Sequence, residues 1–505
     1  MNTTELFFTA ARQYPNTPAL LEGSAEILYA DLAQEVQGTA SYFASKGIRE
    51  GDRVLVAVPM SIDFYRVVLA LLYLGATAVF IDEWAGMERL NMCCRIAECK
   101  AIICGMKARF IALFSKELRK IPIHLSLRGR SRKSIMMNDV PPETPALITF
   151  TTGSTGVPKA ANRTHDFLQK QYNALLEELL PHPNDRCMCT LPIIPFIHLG
   201  VGCTTILPGK IGASPSMRRL RAIAGEIEHK KATKLIVSPN FLTLLARQVL
   251  HDSRSLPLLE RIFTGGAPVF PNDAELYERA FPTAETTVFY GSTEAEPISS
   301  IRASDLHARR HELSRGLPVG RIAGKATVRI IRITPEPIPS LPKEEFNQLI
   351  LPDGVIGEII VSGDHVLKNY FKNPEAFAQN KIIVGQEVWH RTSDSGFLEG
   401  DQLYLTGRCK QIISWNSELI LPFLIENKLQ CINGVEKGTI LEIHGQLVVI
   451  VQSKLSRTQI EHSLNDLPTH TLIILPRIPV DKRHNSKIDY DVLREMVINR
   501  NLVVL

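Results

Sequence analysis

The chain has 505 residues, 45% of them hydrophobic and 22% charged, so it can bury a large core and should divide into two or more domains. Its net charge of +5 is small for this length, and no zinc-finger spacing or RNA-binding aromatic pattern appears. The longest apolar run, residues 67–81, is interrupted by Gly75 and is shorter than the about 20 residues that cross a bilayer. We therefore expect neither a nucleic-acid partner nor a transmembrane segment.

The cysteines and the N-terminal residues indicate the cellular compartment in which the protein is expected. The nine cysteines are an odd number without a Cys-x-x-Cys pair, which favours reduced thiols in a cytoplasmic protein. Cys187 and Cys189 alternate along an apolar run and are expected to be buried packing residues rather than metal ligands. Residues 1–10 lack the basic start and apolar core of a secretory leader. These features predict a cytoplasmic location.

Short apolar, β-rich runs alternate with helical stretches through the N-terminal part of the chain. The runs are 54–58, 78–81, 101–103, 146–150, 235–237, 261–264 and 287–290. The alternation predicts α/β layers with largely parallel sheets. From Lys325 onward the pattern changes to alternating strands and turns, with a Pro-rich exposed loop over residues 334–342.

The run 146–150 leads directly into Thr-Thr-Gly-Ser-Thr-Gly-Val-Pro-Lys, residues 151–159. Its glycines let the backbone approach a polyanion, its hydroxyls donate hydrogen bonds, and Lys159 supplies a mobile positive charge. These are the properties of a phosphate-binding loop, although the loop lacks the Gly-Lys-Ser/Thr ending of a Walker A motif. The alternative is an ordinary polar connection between a strand and the next element.

Two later regions carry further chemistry. Phe-Tyr-Gly-Ser-Thr-Glu, residues 289–294, places a carboxylate at the end of a second predicted strand. Arg-Thr-Ser-Asp, residues 391–394, is followed by Tyr-Leu-Thr-Gly-Arg, residues 404–408. In this order and at these separations, the segments resemble the adenylate-forming superfamily of acyl- and aryl-CoA synthetases, peptide-synthetase adenylation domains and luciferases.

The resemblance covers nearly the whole chain. It also includes residues 14–19, 357–363 and 485–489. Three stretches are most similar to the branch that contains fatty-acyl ligases and the β-lactone synthetases of bacterial olefin biosynthesis; they are 293–301, 329–333 and 483–488. The resemblance implies an α/β fold with a large N-terminal AMP-binding domain of layered sheets and helices, residues 1–408. A small mobile α+β lid, residues 409–505, would follow a hinge near Lys410.

The activity implied by the resemblance is activation of a carboxylic acid, here a fatty acid, to acyl-AMP with release of pyrophosphate. ATP and Mg²⁺ would be required, and the acyl group would then pass to CoA, with an acyl carrier protein as another candidate partner. Because both reacting groups are anionic, catalysis must come mainly from charge neutralisation and alignment.

The family's motifs imply roles for individual side chains. Ser154, Thr155 and Lys159 would hold the β- and γ-phosphates, and Glu294 and Thr155 would bind Mg²⁺. Asp394 would accept hydrogen bonds from the ribose. The full nucleotide-binding set implied is Thr151, Ser154, Thr155, Gly156, Lys159, Gly265, Gly266, Ala267, Pro268, Tyr290, Gly291, Thr293, Asp394 and Arg408, with Tyr290 stacked on the adenine.

Two residues complete the implied catalytic set of Lys487, Glu294, Lys159 and His198. Lys487 matches the C-terminal lysine that closes over the site and neutralises the carboxylate and α-phosphate together. His198 matches a position at the mouth of the acyl pocket, where it would gate or contact the substrate; a buried structural histidine is the alternative. The basic residues of 119–133 are expected to form a solvated surface or to contact an anionic partner such as CoA, a carrier protein or lipid head groups.

Three departures from the family's pattern leave the second reaction step open. Ser393 and Ala160 stand where glycine is common, and residues 413–420 lack the usual lysine and glycine of the loop that lines the CoA channel. The alternative to transfer to CoA is therefore a β-lactone synthetase acting on a β-hydroxy fatty acid. A more remote alternative is a non-catalytic nucleotide-binding protein of the same fold, which would have no need to keep Lys159, Glu294, Asp394 and Lys487.

Overall fold

The structure is a computed structural model. It describes residues 2–81, 86–105, 115–133, 135–151, 158–212, 215–462, 464, 471–481 and 487–499, and only the backbone of Thr151. Residues 2–164 begin with a helix and a strand pair and continue as alternating helices and strands, ending in a second strand pair. In chain order these are α1 Thr4–Gln13, β1 Pro18–Glu22, β2 Ala25–Leu28, α2 Tyr29–Ser45, β3 Arg53–Ala57, α3 Ile62–Tyr73, β4 Thr77–Phe80, α4 Met87–Ala97, β5 Ala101–Cys104, α5 Lys116–Arg119, β6 Ile123–Leu125, β7 Pro145–Thr151 and β8 Lys159–Thr164.

The middle of the chain continues the alternation and ends in longer antiparallel strands. The elements are α6 His165–Leu179, β9 Arg186–Cys189, α7 Ile194–Val201, β10 Thr204–Leu207, α8 Met217–His229, β11 Lys234–Val237, α9 Pro239–His251, β12 Arg261–Gly265, α10 Pro271–Ala280, β13 Glu285–Ser292, β14 Ala295–Arg302, α11 Ala303–Ala308, β15 Leu317–Ile322, β16 Thr327–Ile331, α12 Lys343–Leu349, β17 Gly357–Ser362, α13 Pro374–Asn380, β18 Lys381–Val384, β19 Glu387–Glu399 and β20 Gln402–Arg408.

The C-terminal region follows a short 3₁₀ turn at Cys409–Gln411. Its elements are β21 Ile413–Trp415, β22 Glu418–Ile420, α14 Pro422–Gln430, β23 Val435–Ile443, β24 Gln446–Ser453, α15 Arg457–His462, β25 Thr471–Leu475 and α16 Tyr490–Asn499. Strands β23, β24 and β25 form a small mixed sheet with its own apolar core. The predicted α/β architecture with a small C-terminal α+β unit is confirmed.

Two large sheets position the site. One has six strands in the order β6-β5-β3-β4-β7-β8, parallel except for the antiparallel pair β7 and β8. The other has fourteen strands and is parallel from β1 through β10, β9, β11 and β12 to β13. All seven predicted strands are present and belong to the parallel parts of these sheets. Since parallel strands end at the same edge, their C-terminal loops converge.

The structure also bears on the predictions made for the cysteines, the Pro-rich loop and the basic stretch. Cys187 and Cys189 are fully buried, and none of the nine cysteines, all within the described residues, forms a disulfide. The Pro-rich segment predicted as an exposed loop, residues 334–342, is irregular and largely exposed, with one isolated bridge at Leu341. No helix in the described part of the chain is long and apolar enough to span a membrane. The basic stretch is exposed, and Arg130 pairs with Glu35 at 2.8 Å.

Candidate active site

A cavity of about 2300 Å³ lies where the strand ends of the large sheet meet β7, β8 and the C-terminal region. Residues far apart in sequence line it together. Those from the predicted set are Lys159, Gly265, Gly266, Ala267, Pro268, Tyr290, Gly291, Thr293, Glu294, Asp394, Arg408 and Lys487. Ser154, Thr155 and Gly156 lie outside the described residues, as does the side chain of Thr151.

Asp394 is the centre of one polar group in the cavity wall. Its Oδ2 accepts a hydrogen bond from the Tyr290 hydroxyl at 2.8 Å, and its Oδ1 lies 2.9 Å from Arg408 Nε. Asp394 and Arg408 are paired residues of β19 and β20, so the sheet register fixes their separation. The carboxylate raises the pKa of Arg408, while burial and Asp394 raise the pKa of the Tyr290 hydroxyl well above its usual value. Tyr290 therefore stays protonated and can donate.

Backbone geometry leaves room beside this group. A Cβ added to Gly265 would come within 2.8 Å of the Phe289 carbonyl oxygen, because β12 and β13 pair at these two residues. Gly266 has a φ of 90°, which favours glycine. The Gly-Gly-Ala-Pro turn thus lies flat against the end of β13 and carries no side chain at its first two positions. A planar ring could approach this surface closely.

Glu294 and Lys159 are held by a second group of buried side chains. Tyr370 donates its hydroxyl hydrogen to Glu294 Oε1 at 3.1 Å, and the backbone N–H of Leu367 donates to the Glu294 carbonyl at 2.7 Å. Lys159 Nζ donates to Asn380 Oδ1 at 2.9 Å and lies 6.0 Å from the centre of the Tyr370 ring. Burial lowers the pKa of Lys159, and Glu294 partly opposes this effect.

Lys487 reaches the same cavity from the C-terminal region. Its backbone N–H donates to Asp481 Oδ1 at 3.0 Å, and its carbonyl accepts from the Asp481 N–H at 2.8 Å. These two bonds fix the backbone of Lys487 between β25 and α16. A cation from the C-terminal unit therefore shares one cavity with Lys159, Glu294 and Asp394 from the large one.

A family model described as AMP-binding enzyme matches residues 7–371, well over half of the chain. The chain belongs to the AMP-binding enzyme family. Its similar relatives include CoA ligases. The family and these relatives together identify the chain as an acid-activating ligase of the adenylate-forming type. The resemblance found in the sequence is confirmed.

Individual AMP-binding enzymes are similar to the chain over most of its length. The olefin β-lactone synthetase of Stenotrophomonas maltophilia is 26% identical, over 92% of this chain and 90% of that protein. A feruloyl-CoA synthase of an Amycolatopsis species is 27% identical, over 86% and 84%. The structure of ATP-bound MatB from Rhodopseudomonas palustris has a TM-score of 0.79 at 20% identity, covering 98% of this chain and 99% of that one, which shows a shared fold.

In this AMP-binding enzyme His198 does not lie where the sequence placed it. Its side chain is only 1% exposed, it is not among the residues that line the cavity, and its Nδ1 lies 2.9 Å from Thr205 Oγ1. Burial lowers its pKa to about 3, so the ring is neutral near pH 7. The predicted gate at the mouth of the acyl pocket is therefore wrong in position: helix α7 presents Phe196 to the cavity and His198 to the interior.

The loop after Lys410 forms a tight hairpin. Strands β21 and β22 pair directly, and the two residues between them, Asn416 and Ser417, have φ values of 48° and 68°. Two successive residues with positive φ define a type I′ turn, which glycine usually supports. Asn416 and Ser417 are exposed and do not line the cavity, although Ile413 does. Ser393, which replaces another common glycine, also has a positive φ of 61°.

The Mg²⁺ ion expected for this family would have one described protein ligand, Glu294. No group of three or more His, Cys, Asp and Glu side chains that could hold a metal occurs among the described residues. A lone carboxylate facing a cavity fits Mg²⁺, which keeps several waters and completes its coordination with phosphate oxygens. Tyr370 bonds one oxygen of Glu294, which fixes the orientation of the carboxylate.

Several residues in the cavity wall or directly behind it were missed from the sequence. Tyr370, Asn380 and Lys381 surround Glu294 and Lys159, and Lys381 Nζ lies 5.6 Å from the Tyr370 ring while donating to the Leu367 carbonyl. The Asn-Pro pair at 373–374 signals the start of α13 and could have located this region. Arg163 and Glu296 are two further charged residues in the cavity wall.

Proposed function

We propose that this cavity activates a fatty acid in two steps, with ATP as the first co-substrate and CoA as the acceptor. The observation that carries the proposal is the convergence of Lys159, Glu294, Asp394 and Lys487 on one cavity that also has an apolar wall. Two cations, Lys159 and Lys487, and the metal-binding carboxylate of Glu294 would surround the phosphates. The acyl chain would lie along the apolar wall. The wall includes Met60, Phe64, Phe80, Ile193 and Phe196.

Nucleotide binding is assigned to two surfaces. The adenine would lie against the Gly265–Gly266 turn and Tyr290, and the ribose hydroxyls would donate to Asp394. Asp394 Oδ2 already accepts a hydrogen bond from Tyr290, and Oδ1 forms an ion pair with Arg408. Each carboxylate oxygen has capacity for a further hydrogen bond.

In the first step, an oxygen of the substrate carboxylate attacks the α-phosphorus of ATP, and the bond to the β-phosphate oxygen breaks. Lys159, with the loop 151–157, would bind the departing pyrophosphate, and Lys487 would bind the negative charge that develops around the α-phosphate. A Mg²⁺ ion held by Glu294 would supply further charge neutralisation at the phosphates. Lys159 Nζ donates one of its three N–H groups to Asn380, and a further N–H group would donate to a pyrophosphate oxygen.

In the second step, the CoA thiol attacks the acyl carbon and AMP leaves with the carboxylate oxygen. We propose that residues 1–408 form the AMP-binding domain and 409–505 the lid, which moves between the steps. Two hydrogen bonds join the lid to the large domain. Asn427 Nδ2 of the lid donates to the Leu313 carbonyl at 3.2 Å, and Asn272 Nδ2 of the large domain donates to the Gln430 carbonyl of the lid at 2.9 Å. The ring of Phe423 also packs on Phe270, with ring centres 6.0 Å apart, in an apolar cluster of the large domain. A domain rotation would therefore have to break a contact that is partly polar and partly apolar.

The test is a panel of carboxylic acids incubated with the purified chain, ATP and Mg²⁺, with and without CoA. We expect AMP and pyrophosphate in equal amounts, and an acyl-CoA thioester when CoA is present. Release of ADP and phosphate would contradict adenylation. If a β-hydroxy acid gives a lactone in the absence of CoA, the acceptor is the hydroxyl group of the substrate and not CoA.

A matched pair of variants tests the metal site. Glu294→Gln should lose activity and require more Mg²⁺, because a neutral amide binds the hard cation less well. Glu285→Gln is the control: Glu285 lies at the start of β13, the strand that precedes Glu294, is exposed and pairs with Arg302 at 3.2 Å, so this variant should behave like the wild type. If the wild type, Glu294→Gln and Glu285→Gln all depend on Mg²⁺ equally, Glu294 is not a ligand of the metal.

A further inference from the structure

A second, smaller cavity lies behind the apolar wall of the large one. Its volume is about 50 Å³, and residues of helices α1, α3, α6 and α7 and of strand β7 enclose it. Three residues line both cavities: Leu147, Ile193 and Phe196. These three side chains therefore form a partition between the acyl wall of the large cavity and the space behind it.

The second cavity is suited to a hydrocarbon group. None of the described residues that line it is charged, and many are aliphatic, among them Leu6, Leu69, Leu72, Leu168 and Ile197. Its two threonines already use their hydroxyl groups. Thr3 Oγ1 donates to the His165 carbonyl at 3.0 Å, and Thr4 Oγ1 donates to Asn2 Oδ1 at 2.8 Å. An alkyl group could enter without breaking these hydrogen bonds.

The backbone at Leu147 is fixed on both sides. Leu147 lies on β7, where it pairs with Ala78 of β4 and with Arg163 of β8. The sheet therefore holds this part of the partition in place.

The aromatic ring of Phe196 is the largest side chain of the partition. It is half-buried and meets the ring of Tyr65 edge-on, with ring centres 5.1 Å apart. Tyr65 is fully buried, and its hydroxyl donates to the Pro192 carbonyl at 3.1 Å, so the support of the Phe196 ring is fixed. The size of the side chain at position 196 thus decides whether the partition is closed.

A cavity inside a packed core lowers stability, because the side chains around it lose packing contacts. A larger side chain at Val68, which lines only the second cavity, would fill this space. The cavity nevertheless lies directly behind the wall that would hold the acyl chain. Its volume suits one or two methylene groups, which are similar in size to a water molecule at about 30 Å³.

We propose that Phe196 sets the length of the acyl chain that the enzyme accepts. The terminal methyl group of the preferred acid contacts the Phe196 ring, and a longer chain needs the space behind the ring. The proposal rests on the proposed function, because that function places the acyl chain along the wall to which Phe196 belongs. It concerns unbranched acids, whose terminal carbons are narrow enough to pass between Leu147 and Ile193 once the ring is removed.

The test is a series of unbranched saturated acids from butanoic to octadecanoic acid. Each is assayed by pyrophosphate release with the full chain, ATP and Mg²⁺. The wild type should have a preferred length above which kcat/KM falls, and Phe196→Ala should prefer an acid at least two carbons longer. The ratio of kcat/KM for the longer acid to that for the wild-type optimum should rise about tenfold or more, since each buried methylene group contributes about fourfold.

Two further variants make the outcome decisive. Phe196→Ala/Leu168→Phe refills the space from a residue that lines only the second cavity, and it should return the preferred length toward that of the wild type. Phe346→Ala is the control, because it removes a buried ring that packs on Trp389 and lines neither cavity. It should keep the wild-type length. An ATP-induced rise in melting temperature shows that each variant is folded.

The proposal is overturned if Phe196→Ala keeps the wild-type length, if Phe346→Ala shifts it equally, or if the double variant keeps the longer preference. Binding of the same acids is measured by thermal shift with an unreactive ATP analogue, which separates recognition from reaction. No pyrophosphate with any acid would contradict the proposed function. A longer optimum for binding in Phe196→Ala would still support the role of Phe196, whereas the absence of stabilisation by any acid would overturn both proposals.

Discussion

The Tyr370 hydroxyl donates a hydrogen bond to Glu294 Oε1 at 3.1 Å, and these residues are 76 positions apart in sequence. Tyr370 is 3% exposed, and burial together with Glu294 raises the pKa of its hydroxyl. The phenol therefore stays protonated near neutral pH and donates. It fixes one oxygen of the proposed Mg²⁺ ligand and leaves the other facing the cavity.

Tyr370→Phe should weaken Mg²⁺-dependent activation while leaving the ring and its packing in place. Loss of a hydrogen bond to a charged group corresponds to about a tenfold change, which should appear mainly as a higher Mg²⁺ concentration for half-maximal rate. Tyr73→Phe is the control, because its hydroxyl bonds the Ile135 carbonyl at 2.9 Å and does not line the cavity. The same Mg²⁺ dependence in both variants would show that Tyr370 does not orient Glu294.

Asp394→Asn should raise KM for ATP about tenfold or more, because the amide loses the charge that binds the ribose hydroxyls and pairs with Arg408. The effect on KM for the acid should be smaller. Asp401→Asn, in the turn between β19 and β20, removes an exposed partner of Arg321 and should leave both values unchanged. Steady-state pyrophosphate release gives both constants, and a larger change in the acid KM would contradict the assignment.

Lys487→Ala should lower the rate of acyl-AMP formation by about a hundredfold or more, as expected for removing a preorganised charge from the transition state. Hydrolysis or transfer of acyl-AMP added from outside should change much less. Lys454→Ala, an exposed lysine of the same C-terminal region outside the cavity lining, is the matched control. Unchanged single-turnover adenylation in Lys487→Ala would mean that another cation fills this role.

Lys381 should make stability depend on pH. Burial lowers its pKa from 10.5 to about 7, so between these values the unfolded chain binds a proton that the folded protein does not. The free energy of unfolding should then rise with pH across this window, by at most about 1.4 kcal/mol per pH unit.

Urea unfolding of wild type and Lys381→Met across that window measures the contribution of this one side chain. The wild-type midpoint should rise more steeply with pH than the midpoint of Lys381→Met. Lys368→Met, at an exposed position, should keep the wild-type slope. Equal slopes in all three proteins would show that Lys381 is protonated to the same extent in the folded and unfolded states.

The sequence was sufficient where local pattern decides the structure. The strand ends at Thr151, Gly265 and Ser292 could be located because apolar runs stop close to these turn residues, and parallel strands bring such ends to one edge. His198 was misplaced because the face of a short apolar helix depends on packing: seven of the eight residues of α7 are apolar or glycine, so no amphipathic pattern orients it.

Long-range contacts were not predictable. The hydrogen bond between Lys159 and Asn380 joins residues that are 221 positions apart. No local sequence pattern near either residue predicts this contact. The hydrogen bond from Arg163 to the Thr293 carbonyl likewise depends on how β8 packs against the β13–β14 hairpin. Asp394 and Arg408 were both identified, but only the register of β19 with β20 shows that they form an ion pair.

The central claim is that an oxygen of the substrate carboxylate attacks the α-phosphorus of ATP in this cavity. The most direct measurement uses an acid carrying ¹⁸O in both carboxylate oxygens, a single turnover with CoA, and mass spectrometry of the AMP released. Attack on the α-phosphorus predicts AMP that carries one ¹⁸O atom, with unlabelled pyrophosphate. AMP without label, or label in inorganic phosphate accompanied by ADP, would contradict the account.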